Sequence, residues 1–319
     1  MSWEAPIESQ LEQVERSIRD SVASDQAELT KICMHVIGAG GKRLRPGIAL
    51  LSYGAVGGDE PERFVGIAAS FELIHSATLI HDDINDKGTV RRGRIAAHKK
   101  YGVQKALVAG DFMFVRSFKL GGNWDKKVVQ IISDACTETA ESEILQSAHD
   151  FDANMDAETY FKIITGKTAK LIEAAALVGA HMAGATPKES KALGGYAMEV
   201  GLAFQIIDDV LDLNGRRKEL GKPLGTDLIE GKLTLPLLYA IEDEDYGEKI
   251  SQLYAKRGKS ALEVRRAIEL VGRTDALDRA RKVAADYSRK AASRLSSLKP
   301  SPYVVGLNDL ADAVVDRRS

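Results

Sequence analysis

The chain is poor in cysteine, proline and aromatic residues, and neither sign of charge dominates. Its 319 residues include two cysteines, Cys33 and Cys136, with no paired spacing. A disulfide framework or a structural zinc site is therefore not expected, and a reducing, intracellular setting fits. Lys and Arg number 44 against 46 Asp and Glu, for a net charge of −2. No overall basic surplus points to nucleic acid, so any anion site must be local. The opening residues MSWEAPIESQ are polar and acidic, unlike a signal peptide. The most apolar stretch, Leu171 to Ala185, is broken by Glu173 and His181, so a buried helix is expected there rather than a membrane span. Alternating strand patterns, Asn-Gly hairpins between apolar runs and low-complexity linkers are also missing, and no sheet is expected.

What the chain has is helical periodicity almost throughout. Phe64, Ile67, Ala68, Phe71, Ile74 and Thr78 form one stripe on one long helix reaching Asp82. Thr186-Pro187-Lys188-Glu189 has the form of a capping box with proline at the first helical position. That helix is expected to run through Phe204 to about Leu213, where Asn214-Gly215 ends it. Ser260-Ala261-Leu262-Glu263 marks another helix start. The expected fold class is all-α: a single domain over residues 1–319, a bundle of ten or more helices.

The segment LIHDDINDKGTVRRG, Leu79 to Gly93, places Asp82, Asp83 and Asp86 within five residues. On a helix, Asp82 and Asp86 lie one turn apart on one face with Asp83 beside them. The same Asp-Asp-x-x-Asp spacing returns at Asp208, Asp209 and Asp212 in FQIIDDVLD. Each copy falls at the C-terminal end of an apolar helix, the wrong end of the helix dipole for negative charge. A solvated acidic helix end accounts for one such copy more readily than for two of identical spacing. A bound cation relieves both the mutual repulsion and the dipole. All the ligands on offer are oxygens, which suits magnesium, manganese or calcium rather than zinc. Magnesium commonly takes one or two carboxylates and fills its shell with water and substrate phosphate.

Three basic clusters can face such a phosphate: Lys42, Arg43 and Arg45 in GGKRLRP; Arg91, Arg92 and Arg94; and Lys167 and Thr168 with Lys222 and Lys232. Arginine offers a planar fork of donors for phosphate oxygens, and lysine a compact charge. Each cluster alone reads equally as solvated basic surface, and GGKRLRP lacks the spacing of a P-loop. His75 lies two turns before Asp82 on the same face and can donate to a diphosphate or serve as a core histidine. Gln205 lies one turn before Asp208 and Asp209, where it can order water or a phosphate oxygen.

In this order, GGKRLRP, ELIHSATLIHDDINDKGTVRRG, AGDFMF, GKTA, FQIIDDVLD and GTDLIEGKLTLP resemble the motifs of the trans-isoprenyl diphosphate synthases. The likeness covers most of the chain, from about Gly40 to Pro236. It implies a barrel of helices around a deep central cavity, and a homodimer. It implies condensation of an allylic diphosphate with isopentenyl diphosphate. The resemblance makes Asp82 and Asp86, supported by Asp83, the ligands of two magnesium ions on the allylic diphosphate. Asp208, supported by Asp209 and Asp212, would hold a third, with manganese as a substitute. It makes Lys42, Arg45, His75 and Arg92 the isopentenyl diphosphate pocket. Arg91, Lys167, Lys222 and Lys232 become the allylic diphosphate clamp, with Thr168 and Gln205 nearby. A bulky aromatic often sits just before the first aspartates in short-chain members. Here Ala77 and Thr78 stand there, with Ile74 and Phe71 deeper and Phe112, Phe114 and Phe118 on a neighbouring helix. The expectation is a product of about 20 to 40 carbons, because small side chains leave volume for a growing chain. No integral membrane segment is expected. The setting expected is cytoplasmic, with loose membrane association through the lipid product. The C-terminal Arg317 and Arg318 are expected to fray, with a tail folded over the diphosphate pocket, as in some relatives, as the alternative. A class I terpene cyclase lacks the isopentenyl diphosphate pocket. A di-iron bundle needs two Glu-x-x-His motifs, and only Glu72 to His75 provides one. A non-catalytic regulatory subunit usually loses aspartates from one motif, whereas both are complete here.

Overall fold

A computed structural model describes residues 2–122, 124–214 and 224–317. Lys222 and Arg318 lie outside the described residues. The chain forms two compact units, each assembled from separate stretches of sequence.

The first unit comprises Met1–Ile132, Ile172–Gly194 and Leu295–Asp309. It contains α1 (Glu8–Ser21), α2 (Ala27–Ile37), α3 (Leu44–Ala55), α4 (Pro61–Asn85), α5 (Ala97–Tyr101) and α6 (Val103–Leu120). Helix α4 is its axis and packs on α1, α3 and α6. The stripe expected on α4 is buried at Phe64, Ile67, Ala68, Phe71 and Ile74. Proline at the first turn starts the helix, where its missing N–H costs nothing. A Schellman-type turn ends it: the Gly88 N–H donates to the Asp83 carbonyl (3.0 Å) across Lys87, whose φ is 56°. Every residue of α3 is buried.

The expectation of no sheet meets a small exception. β1 (Val90–Arg91) and β2 (Arg94–Ile95) pair antiparallel. Arg92 and Gly93 between them both have positive φ, 48° and 72°, as the loop of a two-residue hairpin requires. Two residues per strand are too few to show alternation, which is why the sequence pattern carries no sign of it.

The second unit comprises Ser133–Leu171, Gly195–Arg294 and Leu310–Ser319. Helices α7 (Lys126–Ala148), α9 (Lys170–Met182) and α10 (Pro187–Asn214) run through both units along the chain. Wholly within the second lie α8 (Ala157–Ile164), α11 (Thr226–Glu230), α12 (Leu235–Ile241), α13 (Gly247–Ala255), α14 (Ala261–Val271) and α15 (Ala276–Arg294). The last helix is α16 (Pro302–Val315). Ala280, Ala284, Ser288 and Ala291 form a small-residue stripe on α15, and α12 packs on that helix. The expected capping box forms at α10, Thr186 with Glu189, and the expected helix start at Ser260 is a capping box with Glu263 at α14. α10 covers the expected run through Phe204 to Leu213, and Gly215 of the expected stop lies outside the described residues. Its neighbour α9, carrying most of the apolar stretch from Leu171, is largely buried. Among the described residues one helix, α4, is long and apolar enough to cross a membrane, and it is mostly buried.

Candidate active site

In the first unit the aspartates close α4. Asp82 and Asp86 are part-exposed and Asp83 is buried. The hairpin folds back so that Arg91 grips Asp83: Nε and Nη2 both donate to Oδ1, at 2.8 and 2.6 Å. Asp83 is thereby spoken for by an arginine, while Asp82 and Asp86 line the accessible edge of the helix end. Arg92 donates to the carbonyl of Gly40, the first residue of GGKRLRP, and so touches that glycine loop. In that loop Lys42 is exposed and Arg45 is buried at the start of α3. Arg43, expected with them at the phosphate, turns inward and binds Glu15 and Glu72. That ion pair also accounts for Glu72, half of the lone Glu-x-x-His. Burial, then the positive charges of Arg45, Arg92, Arg91 and Arg43, hold His75 well below the ordinary imidazole value. The neutral ring is thus surrounded by cations, an environment that attracts a polyanion. Ala77, Ile74 and Phe71 are buried; Thr78 is part-exposed and its hydroxyl donates back to the His75 carbonyl (2.9 Å). Phe114 and Phe118 on α6 pack edge to face, ring centres 5.3 Å apart.

In the second unit the residues TGKTA form a single π-helical turn, Thr165–Ala169, between α8 and α9. Such wider turns re-aim side chains and are frequent at functional sites. A Cβ at Gly166 would lie 1.9 Å from the Ser142 hydroxyl and 2.8 Å from the Glu138 carbonyl, so only glycine lets this turn approach α7. From the turn, Lys167 reaches Glu143 (2.5 Å) and Gln146 (2.6 Å), both on α7. Thr168 donates to Gln205 (2.7 Å), and Gln205 donates to Asp209 Oδ1 (2.8 Å). The other Asp209 oxygen accepts from the Tyr160 hydroxyl at 2.6 Å. Burial, then the charge of Asp227, pushes the Asp209 carboxyl well above the usual carboxylate range. Asp212 is fully buried and takes the Asp227 amide at 3.1 Å. Asp208 is the accessible member, and Arg317 sits on it at 2.8 Å with its guanidinium 4.4 Å from the Phe204 ring. The C-terminus therefore does not fray at Arg317. Lys232 follows Gly231, which caps α11 in the left-handed conformation, and its ammonium meets Glu230 at 2.8 Å.

Among the described residues no group of three metal-capable side chains converges into a ready cage. The carboxylates nonetheless suit a hard divalent ion that keeps most of its shell for water and ligand oxygen. Asp208 already carries a cationic partner, and the buried Asp209 is held among other carboxylates at a charge density that a divalent ion would relieve. Spacing alone did not identify Tyr160, Glu143, Gln146, Asp227 or Glu230. Tyr160 lies 49 residues from Asp209 in sequence and Glu143 lies in an ordinary-looking helical stretch. The Glu230–Lys232 adjacency in IEGK is the one local signal that was there to find.

Residues 26–271 match the polyprenyl synthetase family. The chain is 40% identical over 315 residues to a short chain isoprenyl diphosphate synthase of Methanothermobacter thermautotrophicus, covering 96% of each. It is 37% identical to an octaprenyl diphosphate synthase of Escherichia coli, over 95% of this chain and 94% of that one. A polyprenyl synthase of Caulobacter crescentus, solved with calcium and isoprenyl diphosphate, superposes with a TM-score of 0.95. It is 38% identical, over 99% of this chain and 97% of the other.

Proposed function

The chain belongs to the polyprenyl synthetase family, prenyltransferases of the trans-polyprenyl diphosphate synthase type, and on that premise we propose that it extends an allylic diphosphate with isopentenyl diphosphate. The observation that carries this is the doubled aspartate array, each copy set beside its own cations and amide or hydroxyl donors. Arg91 attends the first, and Thr168, Gln205 and Tyr160 attend the second.

In this reading Asp82 and Asp86 hold magnesium with Asp83 fixed in support by Arg91, and Asp208 holds a further ion with Asp209 and Asp212 in support. Bound magnesium supplies charge neutralisation for a leaving diphosphate, and manganese can replace it. Arg91, Lys167 and Lys232, with Lys222, clamp the diphosphate oxygens, and Thr168 and Gln205 orient the surrounding groups. Lys42, Arg45, His75 and Arg92 bind the diphosphate of isopentenyl diphosphate. The allylic C–O bond breaks with its electron pair on the departing diphosphate. The double bond of isopentenyl diphosphate then forms the new C–C bond, and the proton lost from the adjacent carbon passes to the released diphosphate. Donors fixed in place before charge develops are the main source of rate in such a step. No side chain acts as nucleophile. We take residues 1–319 to work as one catalytic domain, as a homodimer in the cytoplasm, with a farnesyl or geranylgeranyl type primer. The product, about 20 to 40 carbons long, follows from the small residues Ala77 and Thr78 ahead of Asp82.

The test is incorporation of labelled isopentenyl diphosphate, with magnesium and separate allylic primers of increasing length. Products are dephosphorylated and sized by reversed-phase chromatography. A ladder ending at one length is expected. Folded protein that incorporates no label with any primer would refute the reading.

A further inference from the structure

We propose that Arg43 is a positioning residue that sets the isopentenyl diphosphate pocket without touching the substrate, an inference that rests on the function proposed above. GGKRLRP offers three cations, and the structure divides them. Lys42 is exposed and Arg45 is buried in the first turn of α3, whereas the buried Arg43 guanidinium lies between two other helices, α1 and α4. Its Nη1 donates to Glu72 Oε1 of α4 at 2.6 Å, its Nε and Nη2 donate to Glu15 of α1, and Nη2 also reaches the Ile37 carbonyl at 3.4 Å.

The backbone is shaped for this. Arg43 has φ 49° and ψ 35°, a left-handed conformation that a residue with a Cβ adopts only under constraint. The turn sends the Arg43 side chain inward to Glu15 and Glu72, while its neighbour Lys42 stays exposed. Glu72 stands three residues before His75 on α4, so the Arg43–Glu72 bond ties the basic loop to the helical turn carrying His75. A second tie lies at the other end of the loop, where Arg92 donates to the Gly40 carbonyl. A Cβ built at Gly41 would lie 2.8 Å from that guanidinium, so the loop backbone and the Arg92 side chain pack closely here. All four proposed pocket residues, Lys42, Arg45, His75 and Arg92, are thereby registered through one buried arginine and one glycine loop. A lysine cannot replace the arginine, because an ammonium lacks the planar fork that spans two carboxylates.

The experiment uses Arg43→Lys, which keeps the charge, and Glu72→Gln, which keeps an acceptor oxygen and the volume. Isopentenyl diphosphate binding to the full-length protein is measured by calorimetry, and KM for each substrate is measured with the other saturating. In both variants Kd and KM for isopentenyl diphosphate should rise about tenfold, the scale expected when a bound group is held slightly out of place. KM for the allylic diphosphate and kcat should stay within about twofold, because a positioning loss confined to one substrate leaves the other untouched. The double variant should be no worse than the poorer single one, since the two side chains act as a unit. Equal losses for both substrates, or lower thermal stability with unchanged Kd, would overturn the positioning role and leave a purely structural ion pair. Wild-type protein that binds no isopentenyl diphosphate would instead overturn the functional reading, and this inference with it.

Discussion

Asp209 and Asp208 are adjacent in sequence and differ in almost every physical respect. Asp209 is buried, with one oxygen on Gln205 and the other on Tyr160, while Asp208 faces outward toward Arg317. The aspartate spacing was legible because it repeats. The division of labour was not, because Tyr160 reaches Asp209 from a different helix. Tyr160→Phe removes one donor from a buried acceptor, a loss of about 1–3 kcal/mol, or roughly 5- to 150-fold in kcat. The ring should keep its edge-to-face packing on Phe161, so circular dichroism should be unchanged while kcat falls. An unchanged kcat would remove Tyr160 from the site. His75 allows a prediction about pH. Its folded value lies well below that of the unfolded chain, so the unfolded state binds the proton first as pH falls. Stability from this residue is fully present above the ordinary imidazole value of about 6.5 and is lost as pH drops below it. His75→Gln should therefore flatten the acid limb of Tm against pH as pH falls below about 6.5, where the unfolded imidazole gains its proton ahead of the folded one. An acid limb as steep as wild type would count against it.

At the scale of elements, helices were the legible part. The apolar stripe of α4, the proline start and capping box of α10 and the capping box of α14 follow from side-chain chemistry within one turn of the chain. The hairpin at Val90–Ile95 and the π turn at Thr165–Ala169 did not, since both depend on what the turn meets in three dimensions. Gly166 is the example: its need for glycine comes from Ser142 and Glu138 on another helix, which no local pattern encodes. Helix α4 also carries the proposed floor for the growing chain. Ala77 is 1% exposed, so a phenylalanine there must displace neighbouring volume or fill space ahead of the aspartates. Ala77→Phe is expected to end the product ladder at a shorter length with the primer KM little changed. Reversed-phase sizing reads the result, and a ladder of wild-type length would place the floor elsewhere, with Ile74 or Phe71 the next candidates.

Over the whole molecule the near-neutral charge hides a local pattern. Cations proposed to meet diphosphate are already matched to carboxylates in the same unit: Arg91 with Asp83, Lys167 with Glu143 and Lys232 with Glu230; Arg317, outside that clamp, is likewise matched to Asp208. Matched pairs lower the cost of holding so many charges in a folded chain, and a polyanion with its metals can take over both partners of each pair. The composition gave the balance of charges but not the partners, since Lys167 and Glu143 are 24 positions apart in sequence. The Arg317 pair is the clearest case for a test, because the arginine stands where a divalent ion is proposed to bind. Its side chain is 15% exposed and that of Asp208 39%, so the pair is worth on the order of 0.2–1 kcal/mol. Arg317→Met keeps an apolar side chain near Phe204 and removes the competitor. The magnesium concentration for half-maximal rate should then fall by roughly 1.4- to fivefold, the equivalent of that energy. A magnesium titration at saturating substrates, with calorimetry of inorganic diphosphate binding, checks it. A higher magnesium requirement in the variant would show instead that Arg317 helps to hold the ligand, and that the C-terminus closes over the site rather than competing for it.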